Sequence, residues 1–179
     1  MYCESWNPSW SWYRGDAAAA AVFTFEDDVR YVYDGSWCAP GAETSWNGDW
    51  RASGAAGTAL WDGDHEPSSD LDGRPGDPPA APGIGSEIAG ALQSFVHAVR
   101  SGTTPDGEVH GNVMSLTMVD AAIASARTGR RIVIDEVLEQ AHATALEAER
   151  DDAVRERLAS WGSVRAALAA GSPDAAALG

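Results

Sequence analysis

The chain contains no lysine. All 12 of its basic residues are arginine, set against 27 acids, for a net charge of −15 over 179 residues. That balance argues against nucleic acid as a partner, because phosphates would be repelled. It disfavours an anionic membrane surface for the same reason. Cysteine is scarce as well. Cys3 and Cys38 do not form a C-x-x-C pair, and neighbouring strands would have to bring them together before they could bridge, so a disulfide framework is not expected. No stretch reaches the roughly 18 consecutive apolar residues of a membrane span. Ala17 to Phe25 is an apolar run near the N-terminus, but Glu26-Asp27-Asp28 follows it in place of a small-residue cleavage site. It reads as a strand rather than a signal-peptide core, which points to the cytoplasm. Gly-x-Ser-x-Gly is absent, and there is no internal repeat.

What is present is ordinary for one globular domain: 44% hydrophobic and 22% charged residues, with 8 tryptophans. Residues 1 to 61 read as successive antiparallel strands. Trp10 and Trp12 alternate with polar neighbours. Ala19, Ala21, Phe23 and Phe25 share one face of the next strand, and Val29, Tyr31 and Tyr33 one face of the strand after it. Asp27-Asp28 and Asn47-Gly48 are turn signals, because these residues tolerate positive φ. Two further strands, 50–53 and 58–61, flank Gly54 to Gly57.

Residues 62 to 84 read as a loop or linker, given Pro75, Pro78, Pro79 and Pro82. Ser86 to Ser101 predicts a helix with the apolar stripe Ile88, Leu92, Phe95 and Val99, stopped by Gly102. A second helix is predicted over Gly111 to Thr128, with Val113, Leu116, Val119 and Ile123 in register and Gly129 as its stop. Ile132-Val133-Ile134 reads as a short strand returning to the sheet edge. A long acidic helix, N-capped by Asp135, is expected to about Ala169 with a break at Gly162, and a disordered tail from Gly171. The fold class expected is α+β. It comprises an open, mostly antiparallel sheet with helices on one face over residues 1–134, and an acidic helical extension over 135–170.

Three segments carry a resemblance: Tyr33-Asp34-Gly35-Ser36-Trp37, Thr44 to Arg51, and the helix ending Ser125-Ala126-Arg127-Thr128-Gly129-Arg130. Ser94 to Gly102 adds a further match. Together, in this order, they resemble the C-terminal domain of the Gfo/Idh/MocA family, the NAD(P)-dependent dehydrogenases of sugars and inositols. The resemblance covers residues from about 5 to 134. It implies the substrate-binding and oligomerisation portion of such an enzyme. It further implies a homo-oligomer formed through the sheet face, or a separate Rossmann-domain chain as partner, and a sugar or polyol ligand. NAD or NADP is expected for the full-length family enzyme but no cofactor for this chain. No G-x-G-x-x-G lies between a strand and a helix here, and the family's Glu-Lys-Pro cannot exist without lysine. The resemblance places the family's catalytic histidine upstream of residue 1. No catalytic residue is therefore assigned, and the isolated chain is expected to be inactive.

Indole faces suit the C–H faces of sugars but also build cores and interfaces. Trp6, Trp10 and Trp12 read as core or interface. Trp37, Trp46 and Trp50 divide evenly between that reading and ligand contact. Thr44, Asn47 and Arg51 cluster donors and acceptors beside the latter two, as polyol recognition needs. Thr44, Trp46, Asn47, Trp50 and Arg51 are therefore the candidate substrate wall, with His110 before the second helix added to it. Asp62, Asp64, His65 and Glu66 resemble a metal cluster but lack further ligands in spacing, so a surface loop is expected there and no metal. His97 reads as a satisfied core or edge residue and His142 as solvated. The alternative to an enzyme portion is a stand-alone scaffold or carbohydrate-binding domain.

Overall fold

In a computed structural model the chain is α+β and antiparallel, with a helical C-terminal part. Residues 1–76, 87–105 and 107–171 are described. The strands β1 (Tyr2–Trp6), β2 (Ala18–Thr24) and β3 (Arg30–Ser36) form one sheet in that order. The strands β4 (Trp50–Gly54), β5 (Gly57–Trp61), β6 (Ser68–Leu71) and β7 (Arg74–Gly76) form a second. Five helices complete the described elements: α1 (Glu87–Ser101), α2 (Val109–Thr128), α3 (Ile134–Ala148), α4 (Asp152–Ala159) and α5 (Val164–Gly171). The chain divides into two compact units, Met1–Cys38 with Ser94–Gly179, and Ala39–Gln93.

In the first unit the β2–β3 hairpin turns where the acidic dipeptide predicts. Asp27 and Asp28 both adopt left-handed backbone, and Val29 N–H closes the turn on Glu26 O at 3.2 Å. Cys3, Ala21 and Phe23 form the buried cluster on one sheet face, with Met118, Ala122 and Ala126 of α2 packed on it. Phe23 stacks on Tyr31 at 5.6 Å between ring centroids.

The residues that carry α2 onto the sheet are small. Thr117, Ala121 and Ser125 are its buried residues, at a spacing of four. The predicted stripe points the other way: Leu116, Val119 and Ile123 are exposed. α1 repeats the pattern, with Gly90 and Ala98 buried and Ile88, Leu92, Phe95 and Val99 exposed. Small residues let a helix approach its neighbour closely, and bulk lost from that face reappears on the outside.

Ser125 is fully buried and joins three segments. Its hydroxyl accepts the Cys3 N–H at 2.9 Å and donates to Arg130 O at 2.7 Å. Gly129, in left-handed backbone at φ 64°, ends the helix so that the chain can turn back. Ile132 N–H then donates to Met1 O, and the Met1 ammonium donates to Ile132 O. The short strand expected at 132–134 is thus a single backbone pairing at the β1 edge, and α3 already begins at Ile134.

Other expectations change. Residues 7–17 are a loop, so Trp10 and Trp12 lie outside any strand and are exposed, not core. Residues 68–76, expected inside a linker, form the β6–β7 hairpin, with Asp72 and Gly73 at positive φ as the two-residue turn. The long helix from Asp135 is three helices. Val133 rather than Asp135 caps the first, and Asp151 caps α4 by accepting from Ala153 and Val154 N–H. His142 is not solvated: it stacks on Trp161 at 5.5 Å and donates from Nε2 to Leu158 O. His97 is exposed. Cys3 and Cys38 are buried, free thiols. The expected loop over 77–84 and the tail beyond Gly171 lie outside the described residues. No helix among the described residues is long and apolar enough to cross a membrane.

Candidate functional site

Five of the six candidate residues fall in the second unit, and its β4–β5 hairpin organises them. Trp50 pairs with Trp61 across the two strands, and Arg51 pairs with Leu60. Successive residues of a strand point to opposite faces. Trp50 and Trp61 therefore share one face, and Arg51 lies on the other. There it lines a shallow depression of about 440 Å3 with Thr58, Leu60, Asp70 and Asp72.

Thr44, Trp46, Asn47 and Trp50 are brought together by a turn at residues 45–48, closed by Gly48 N–H on Ser45 O at 3.0 Å. Thr44 Oγ1 donates to Ser45 O, and Ser45 Oγ accepts the Asn47 N–H. Trp50 donates its indole N–H to Asn47 O at 2.6 Å. Trp46 projects from the turn and is 89% exposed.

This turn docks on a second loop, residues 62–65, which the sequence reading set aside. Asn47 Nδ2 donates to Gly63 O at 2.8 Å. Gly63 sits at φ 85°, and a Cβ there would meet Ser45 Oγ at 2.0 Å and Gly48 O at 2.6 Å, so no other residue fits. Within the second loop Asp62 Oδ1 accepts the N–H groups of Asp64 and His65, while Oδ2 faces His65 Nδ1 at 2.7 Å. The hydrogen bonds from His65 hold the Asp62 carboxyl well below the usual carboxylate range, and Asp62 in turn raises the His65 pKa. Trp61 donates its indole N–H to His65 O at 2.8 Å. The signal for this loop was present in the sequence as Asp-Gly-Asp-His. Its role depends on the approach of residue 47 to residue 63, which no local pattern encodes.

His110 stands in the other unit. Glu108 caps α2 by accepting from the N–H groups of His110 and Gly111, and its carboxylate also binds His110 Nδ1. The His110 N–H is the main cause of the lowered Glu108 pKa. Among the described residues no group of three or more His, Cys, Asp or Glu is placed to hold a metal ion.

No family model matches the chain. A curated relative, the uncharacterized protein y4oX of Sinorhizobium fredii (strain NBRC 101917 / NGR234), is 26% identical over 156 residues, covering 78% of this chain and 42% of the relative. A solved structure, an oxidoreductase from Agrobacterium radiobacter in complex with NAD+, L-tartaric acid and magnesium, matches with a TM-score of 0.62 at 16% identity. The match covers 76% of this chain and 43% of that one. The chain shares its fold with part of that structure. The chain spans less than half the length of both proteins it is similar to.

Proposed function

We propose that the chain is the C-terminal, substrate-binding and oligomerisation portion of an NAD(P)-dependent sugar or polyol dehydrogenase of the Gfo/Idh/MocA type. The observation that carries this reading is the shared fold: most of the chain matches less than half of an oxidoreductase crystallised with NAD+ and a hydroxylated acid. Three motifs of the chain agree with it, and one of them acquires a physical role. In Ser125-Ala-x-x-Gly-Arg130 the serine ties α2 to β1 and the glycine turns the chain back.

The indole wall of the second unit suits the C–H faces of a sugar, with Thr44, Asn47 and the neighbouring loop as its polar rim. Homo-oligomerisation is supported by what the sheets leave uncovered. Val22 and Val32 are exposed on the first sheet, and β4 is exposed along its whole length. Exposed Val22, Val32 and Trp50 suit an interaction surface. His110 and Arg51 belong to the proposed wall only if the complete assembly brings their surfaces to the same ligand.

The test is a set of three measurements on the pure chain. We expect no reduction of NAD+ or NADP+ with sugars or polyols, no nicotinamide binding by calorimetry, and sedimentation as a dimer or larger species. Turnover by the chain alone would overturn the reading, as would a monomer that binds no sugar. A second reading, a free-standing scaffold or carbohydrate-binding domain, is favoured by the indoles of Trp10, Trp50 and Trp61, each already hydrogen-bonded to a backbone carbonyl within its own unit. Under that reading sugar affinity is independent of any NAD-binding partner. Under the first it rises when the partner is present.

A further inference from the structure

α1 hides its small residues and shows its large ones. Among its described residues only Gly90 and Ala98 are buried. Ile88 is 86% exposed, and Leu92, Phe95 and Val99 are each more than half exposed. A helix of 15 residues is marginal in water by itself and gains most of its stability by covering an apolar face. No described element covers this one.

The spacing of the stripe limits what can cover it. Its steps of four, three and four are the a/d repeat of a coiled-coil seam. They read the same in both directions along the helix. A second copy of α1, laid antiparallel and centred between Leu92 and Phe95, therefore matches the first. Ile88 meets the partner's Val99, Leu92 meets the partner's Phe95, and a two-fold axis repeats both contacts. A parallel pair would set Arg100, which is exposed, beside its own copy, and would align the two helix dipoles. The antiparallel pair avoids both costs.

Charge favours the same occupant. A net charge of −15 keeps copies of the chain apart over most of their surface. From Ile88 to Val99 there is no acid, lysine or arginine, so two copies can approach here without like-charge repulsion. Ala89 and Ala91, both exposed, flank the stripe and leave room for close approach.

We infer that α1 is a self-docking surface, on which two copies of the chain associate by antiparallel packing of Ile88, Leu92, Phe95 and Val99. The inference shares with the homo-oligomer reading above the need for a second copy, and differs from it in the surface. It depends on no ligand or cofactor.

Sedimentation equilibrium of the whole chain measures the association, and far-UV circular dichroism checks the helix. Leu92→Ala and Phe95→Ala each remove two seam side chains per dimer and leave a strong helix former in place. Each should weaken association at least about tenfold with helix content unchanged. His97→Ala, exposed and on the far side of α1 from the stripe, should change it by less than about twofold. Oxidation tests the register. Ile88→Cys combined with Val99→Cys should give a covalent dimer, because the two positions lie about 16 Å apart along one helix, too far for a bridge within one copy. Neither single variant should cross-link rapidly, and the native Cys3 and Cys38 are buried. Rapid cross-linking by Ile88→Cys alone would mean parallel packing and overturn the arrangement. Equal association in wild type, Leu92→Ala and Phe95→Ala would overturn the α1 contact and leave self-association to the sheets. A monomer at every concentration would overturn this inference and the homo-oligomer reading together.

Discussion

The two sheets are built to opposite plans. The first has a core: Cys3, Ala21 and Phe23 lie against α2, and the helix is tied down by a buried hydroxyl. The second has none. Among its described residues between Ala39 and Arg74 only Gly63 is buried, so β4 to β7 are held by ladder hydrogen bonds and docked loops. Sheets with neither face covered are marginal in water, because ladder hydrogen bonds gain little net free energy over those made to solvent. The first unit resembles a scaffold that can stand by itself. The second resembles a surface awaiting cover, and the proposed ligand contacts fall there with part of the proposed subunit surface.

The sharpest way to break this contrast is truncation. Phe23→Ala removes a buried ring from the first unit and should cost about 3 kcal/mol. Leu60→Ala, half-exposed on β5, should cost less than about 1 kcal/mol. Urea titration of both variants checks the ordering, and equal losses would mean that the second sheet has a core after all. Ser125→Ala should cost about 2 kcal/mol, because it leaves the Cys3 N–H without its hydroxyl partner in a buried site. Amide exchange at Cys3 should accelerate in that variant while β4–β7 stay unchanged. Gly63→Ala should cost about 1 kcal/mol or more, because φ 85° is strained for alanine and its Cβ would meet Gly48 O at 2.6 Å, and should leave the first unit folded. It should also separate the two loops, seen as loss of protection at Asn47 and His65 and loss of any sugar-induced indole shift.

The smallest effect is that of pH on the 62–65 loop. The His65 pKa is raised, so its contribution is in place below about pH 6.5 and is lost as pH rises through the folded value. The Asp62 pKa is lowered, so its contribution is in place above about pH 4 and is lost as pH falls through the folded value. The loop should be tightest between those limits. A proton NMR titration of His65 with a midpoint below that of a free imidazole would show that the pairing is absent in solution.

Much of the first unit was legible in the sequence. Alternation fixed the faces of β2 and β3, and Asp27-Asp28, Gly102 and Gly129 marked turns and stops where left-handed backbone is needed. The packing faces of α1 and α2 were not legible. A periodic pattern weighted by bulk selects Leu116 and Ile123, whereas close approach selects Ala121 and Ser125, which carry little hydrophobic signal. The β6–β7 hairpin was hidden because its Asp-Gly turn adjoins a proline-rich stretch that outweighed it. At the candidate wall, Thr44, Trp46, Asn47 and Trp50 do converge, through a turn that the Asn-Gly pair announces. Arg51 falls on the opposite face, as the two-residue strand period implies. The contribution of residues 62–65 rests on a contact between positions 47 and 63, which local spacing does not encode.

The Gly63 joint makes the wall evolvable. Its acceptors are the carbonyls of Asn47, Gly63 and His65, and it includes one position that tolerates no side chain. A backbone carbonyl is present whatever the side chain, so substitutions that keep glycine at 63 and the donors at 47, 50 and 61 leave these bonds in place.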